Sequence, residues 1–153
     1  MFSQFRPSSR LPSRLGWLLL LALLSGSPLI ALADNEAATE EQARSMQKVI
    51  RAQIEAFGED QAQEAFRYAS SAIQDLFQTP ENFMAIVEQD YPAVYRAGFV
   101  EFADPVPHRG FVVQPLTLRG PEGRYWKGHY RMVREEGQWR INGVQISPVS
   151  RGI

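Results

Sequence analysis

The sequence predicts an α+β fold, with N-terminal helices packed on a curved four-stranded antiparallel sheet, and two observations carry that expectation. Apolar residues recur at helical spacing up to Tyr91, then at a period of two beyond Gly98. The extended runs of the second half are separated by short glycine-bearing turns, and connections that short join only antiparallel neighbours.

In chain order the first element is an export signal. Arg6, Arg10 and Arg14 give a positive start with no acidic residue before Asp34, and Leu15 to Leu24 is an apolar run. Ser25 to Pro28 breaks that run, and Ala31-Leu32-Ala33 offers small side chains at the two positions a signal peptidase reads. Together they predict a signal peptide over residues 1–33, cut between Ala33 and Asp34, with a periplasmic or secreted bacterial product. Leu15 to Ala33 is 19 residues, long enough to span a bilayer, but Pro28 and the Ser-Gly-Ser run interrupt it. Contact with the membrane is therefore expected only through the transient signal. The chain has no cysteine, which excludes disulfides, a lipidated cysteine and thiol catalysis.

Residues 34–45 are acidic and alanine-rich and read as a flexible lead-in. Met46, Val49, Ile50, Gln53, Ile54 and Phe57 then share one helical face, and Gly58 ends that helix. Asp60 is placed to cap the next, whose Ala62, Ala65, Phe66 and Ala69 form a narrow apolar stripe. Ser70 and Ser71 interrupt, and Ile73, Leu76 and Phe77 make a short apolar turn. Thr79-Pro80-Glu81 supplies a hydroxyl cap, a first-turn proline and a first-turn acid, so a third helix starts there. Phe83, Ile86 and Val87 give it a buried face, and Tyr91-Pro92 closes it.

Four extended runs follow: Phe99 to Val106, Phe111 to Leu118, Tyr125 to Val133 and Trp139 to Ser147. In the third, Trp126, Tyr130 and Met132 share one face while Lys127, His129 and Arg131 share the other, so one face packs and one is wet. Residues 46–149 thus form one domain with a tail over 150–153. Without the signal the chain carries 13 basic and 17 acidic residues, a net charge of −4. That balance excludes nucleic acid, which requires a basic footprint. Residues 34–90 are strongly acidic and residues 91–153 mildly basic, as expected of a solvated helical face beside a sheet with arginine-rich edges.

Three segments in this order resemble an uncharacterised bacterial group, domain-of-unknown-function family 4864. They are Val49 to Phe57, Tyr91-Pro92-Ala93-Val94-Tyr95, and Trp139-Arg140-Ile141-Asn142-Gly143. More broadly, helices followed by a meander ending in Trp-Arg-Ile-Asn-Gly-Val look like the nuclear transport factor two-like (SnoaL-like, cystatin-like) cone. The resemblance implies one α+β cone domain with a pocket between helices and sheet, and no assigned activity; fold alone does not confer function.

A binding pocket is the leading functional expectation, for a small apolar or anionic ligand. Such pockets are mostly apolar with a few placed polar groups, and Tyr and Trp offer both. Tyr91, Tyr95, Trp126 and Tyr130 are the aromatic candidates, Arg96, Gln114 and Asn142 the polar ones, while Trp139 reads as core. One alternative is a non-catalytic interaction or assembly module of the cell envelope, with a homodimer formed through the outer sheet face. Val112, Val113, Leu116 and Leu118 put apolar residues on both faces of the second run, which fits a covered outer face. An isomerase- or dehydratase-like enzyme is the third reading, with Asp60, Asp90 or Glu101 beside Tyr91, Tyr95 or Tyr130. Asp60 is better explained as a cap, Asp90 as a helix end, and Glu101 alternates away from Val100 and Phe102. No nucleophile elbow or phosphate loop is present, so no cofactor is expected. His108 and His129 lie in different elements without cysteine, so no metal site is expected either.

Overall fold

Met46, Ile50, Ile54 and Phe57 are spaced to lie along one side of a helix, and all four are buried on the inner side of α1, which spans Pro28–Gly58. The structure is a computed structural model that describes residues 28–150, with side chains from Thr39. The positive start and apolar run expected of an export signal lie outside the described residues, and Ala33 and Asp34 fall within the backbone of α1. Residues 34–45, expected as a lead-in, continue this helix, as an Ala- and Glu-rich composition favours.

Three short helices and a turn complete the helical layer: α2 (Ala62–Arg67), α3 (Ser71–Phe77), α4 (Pro80–Asp90) and α5 (Pro92–Tyr95). Thr79 Oγ1 accepts from Asn82 N at 3.2 Å at the start of α4, the cap its sequence announced. The two serines prove to be more than an interruption. Ser70 caps α3 by accepting from Ile73 N, and its own hydroxyl donates to Asn142 Oδ1 at 2.7 Å. Asp60, by contrast, does not cap α2: the N-cap residue is Gln61, with no side-chain cap bond. Asp60 sits at φ 58°, a left-handed turn that directs its carboxylate elsewhere.

The sheet has five strands: β1 (Phe99–Phe102), β2 (Val106–His108), β3 (Phe111–Arg119), β4 (Tyr125–Glu135) and β5 (Gln138–Pro148). All pairings are antiparallel, in the order β1–β3–β4–β5, with β2 also on β3. The first extended run divides because Asp104 and Pro105 interrupt it; β1 takes the far half of β3 and β2 the near half. The alternation on β4 is the expected one, with Gly128, Tyr130 and Met132 buried against the helices and Lys127, His129 and Arg131 exposed. A register shift between Arg131 and Met132, opposite Asn142, bends β5. A Cβ at Gly128 would lie 2.8 Å from Leu116 Cδ1 and 3.6 Å from the Tyr130 ring, so Leu116 would have to shift to admit it.

Hydrogen bonds join the helices and the sheet at several places, among them Ser71 N and Oγ, which donate to the Glu135 carboxylate of β4 at 3.0 Å. Segment 68–70 runs beside β5, with Ile141 N donating to Tyr68 O and Ser70 N to Ile141 O, both at 2.9 Å. On the far side of α1, Gln114 is fully buried between sheet and helix, donating to Ala103 O and accepting from Gln47 at 3.3 Å. No helix among the described residues is long and apolar enough to cross a membrane.

Candidate functional site

The helical layer has its own aromatic nucleus. Phe83 of α4 meets Phe57, Phe66 and Phe77 at ring-centroid distances of 5.7, 5.5 and 5.4 Å, the separations at which edge and tilted contacts are favourable. α3 and α4 fan outward from that nucleus, and β5 passes below. The space between them is a half-open hollow of about 260 Å³. Ile73 and Phe77 form one wall, Ile86 and Val87 the other, and Ile141 and Val144 the floor. No ionisable carboxylate, amine or imidazole lines it. Of its polar groups, the Gln53 amide is already spent on Ala65 O at 3.0 Å, while the Tyr91 hydroxyl makes no hydrogen bond among the described residues. Leu76, 70% exposed, and Ile86, 37% exposed, stand at the mouth.

The seven residues anticipated as a pocket are not gathered into one cavity. Tyr91 lines the apolar hollow. Tyr130 and Gln114 are fully buried in the core, and Trp126 packs at the far end of the sheet beside Ala93 and Gly120. Asn142 is engaged by Ser70 at the strand bend. The space between helices and sheet is thus filled by side chains, Tyr130 and Met132 foremost, and the open space lies at its edge. Large side chains on the concave face of a small sheet fill it because nothing else excludes water there.

Tyr95, itself buried, and Arg96 do act together, on the exposed carboxylate of Asp60. Tyr95 donates its hydroxyl to Asp60 Oδ1, and Arg96 grips both oxygens of the same carboxylate at 2.7 and 3.0 Å. Arg96 also donates to the carbonyls of Phe57 and Gly58 at 2.9 and 3.0 Å, satisfying acceptors left over at the end of α1. The Tyr95 hydrogen bond, then Arg96, holds the Asp60 carboxyl below the usual carboxylate range, and the same bond pushes the Tyr95 phenol up. A general base at neutral pH needs the opposite shift, so Asp60 serves as a clasp between α1 and α5. Of the other carboxylates weighed for acid–base work, Glu101 is exposed on β1 and Asp90 is exposed at the end of α4.

The residues that shape the hollow were legible only as core. Ile73, Phe77, Ile86 and Val144 fit the periodicity of buried faces, and nothing in their spacing announces a gap among them. The one available signal was excess: α3 and α4 each carry an apolar residue, Leu76 and Ile86, beyond what their length can bury. Comparison with curated proteins and with solved structures returns no match. The family described as Domain of unknown function (DUF4864) matches residues 39–152, which includes the described strands and all of the apolar hollow, and the chain belongs to that family.

Proposed function

We propose that this protein binds an apolar group in the hollow between α3, α4 and β5. The observation that carries the reading is a half-open space of about 260 Å³ with uncharged walls and two exposed aliphatic side chains at its mouth. Monomeric proteins gain nothing from leaving such residues in water, and contiguous apolar openings mark binding sites. Size narrows the ligand, since an apolar cavity of about 150 Å³ takes one benzene. The hollow therefore suits one or two rings, or the end of an aliphatic chain, and not a whole steroid or dinucleotide.

The test is thermal unfolding in the presence of a graded series of alkylbenzenes, with Ile73→Trp as the variant that fills the space. A ligand at about 100 times its dissociation constant adds about 2.7 kcal/mol to stability. The wild type should show that rise and the filled variant should lose it. No rise for any member of the series, or an equal rise in Ile73→Trp, overturns the reading.

We also propose that the chain works outside the cytoplasm after cleavage between Ala33 and Asp34. The support is the arginine-flanked apolar run and the Ala-x-Ala site. N-terminal sequencing of protein recovered from the native cell should begin at Asp34; a chain recovered intact from Met1 would refute it.

A further inference from the structure

The outer edge of β5 is covered at one point. Ile141 pairs with segment 68–70 in a single bridge, through Ile141 N to Tyr68 O and Ser70 N to Ile141 O. After the bend at Asn142 that cover stops. At the other end Val149 N donates inward to Tyr125 O at 2.9 Å, and antiparallel ladders alternate, so Ser147, Gln145 and Gly143 also bond inward. The N–H and C=O groups of Val144 and Ile146 therefore point away from the sheet. Pro148, with no N–H to offer, falls at the next outward position, the one place in a strand where proline loses nothing.

Edges of this kind are normally blunted by charge, because unpaired backbone groups recruit other chains. Residues 141–149 contain no charged side chain. A second hollow, of about 540 Å³, runs along this edge and is lined by Asp90, Tyr91, Val144, Ile146 and Ser147 among others. It shares Tyr91 and Val144 with the apolar hollow, so the open backbone and the apolar space form one continuous groove.

We infer that this groove takes an extended peptide with alternating apolar residues and basic flanks, added as a further strand on β5. The inference rests on the apolar-binding reading above and names its ligand class. Strand addition supplies the backbone bonds, and every second side chain of the peptide drops towards the apolar hollow. Charge complementarity selects the flanks. Among the described residues, Asp90 is the one carboxylate lining the groove, and no lysine or arginine lines it. The same charge argues against a second copy of this chain. Two β5 edges paired about a two-fold axis would bring two copies of Asp90 towards one seam.

The experiment uses the full mature chain and a synthetic peptide, acetyl-KLTVTLK-amide, followed by fluorescence anisotropy. Three comparisons accompany it: the same peptide N-methylated at its alternate, strand-facing amides, the peptide with glutamate flanks, and the protein variant Ile146→Pro. The lysine-flanked peptide should bind, and each change should weaken it by about tenfold, the loss of one or two hydrogen bonds or of the charge match. N-methylation leaves the protein untouched, so it stays decisive even if Ile146→Pro fails to fold. Equal binding of the methylated peptide overturns strand addition. Equal binding of the glutamate-flanked peptide overturns the charge selection. Alkylbenzene binding without peptide binding sinks this inference and leaves the apolar reading standing; absence of both sinks both. A dimer that Ile146→Pro dissociates, with no peptide binding, assigns the edge to a second copy and refutes the proposal.

Discussion

Replacing Tyr130 by phenylalanine should stabilise the protein. The ring is fully buried on β4, and its hydroxyl has no hydrogen-bond partner among the described residues. Burying a hydroxyl without a partner costs about 1–3 kcal/mol. Deleting the oxygen leaves a space smaller than a methyl group, which costs up to about 1 kcal/mol. The difference is a gain of about 1 kcal/mol, or about 4 °C in melting temperature for a domain of this size. Urea unfolding of Tyr130→Phe and wild type, followed by circular dichroism, reads it directly, and the slope with urea should not change. A second arm uses alkali. Burial pushes the Tyr130 phenol above its ordinary value of 10.0, so the folded protein holds that proton when the unfolded chain has lost it. Stability from this group is complete below pH 10.0 and is lost as the pH climbs beyond it, and Tyr130→Phe removes that part of the decline. A loss of 1 kcal/mol or more in the phenylalanine variant refutes the reasoning and means that the hydroxyl has a partner in a core that is not dry.

Gly128→Ala should cost about 1–3 kcal/mol through the forced approach to Leu116, and the double variant with Leu116→Ala should cost less than the sum of the two single changes. Strict additivity in urea unfolding would show that Leu116 has room to turn aside. Ser70→Ala should cost about 1–2 kcal/mol, because one hydroxyl both caps α3 and answers Asn142. A change below a few tenths of a kcal/mol would mean that water replaces both bonds. Asp60→Asn should flatten the acid limb of stability. The wild-type carboxyl is depressed in the folded state, so its contribution is present above pH 3.8 and is lost as the pH falls through the lower folded value. Parallel acid limbs for the two proteins, measured by urea unfolding at successive pH values, would show that the clasp with Tyr95 and Arg96 does not form in solution.

Some of this architecture is written locally and some is not. Thr79, Pro80 and Glu81 act within one turn of each other, so their meaning could be read directly. The alternation of Lys127, His129 and Arg131 with Gly128, Tyr130 and Met132 could be read in the same way. Asp60 was misread because its partners, Tyr95 and Arg96, are 35 and 36 residues away, and the local rule for an acid before a helix spoke first. Ser70 hid its cap behind a second serine, and its link to Asn142 spans 72 residues. The aromatics anticipated as a pocket were chosen by chemistry, whereas position decides. Tyr130 sits mid-strand opposite Gln114 and Val144, where only core is available, and Tyr91 sits at a helix end beside the last strand, where space remains. A hollow belongs to no single segment. This one is bounded by α1, α3, α4, α5 and β5, and no one periodicity carries its outline.

The fastening of segment 68–70 to β5 also sets an order of events during synthesis. Residues 68–70 leave the ribosome well before Ile141 and Asn142, the groups that hold them. Until Gln138 to Pro148 have emerged, β4 lacks its neighbour and Ser70 lacks its acceptor, while the faces of α1 and α4 have only part of a sheet to rest on. Long-range closure of this kind is slow and comes late. A nascent chain ending before Gln138 should therefore be open to protease along its whole length, and the complete chain should become resistant in one step. That timing matches the export route proposed above, since a translocation channel can thread a polypeptide only while it is still unfolded, and here the last strand made is the one that ends that interval.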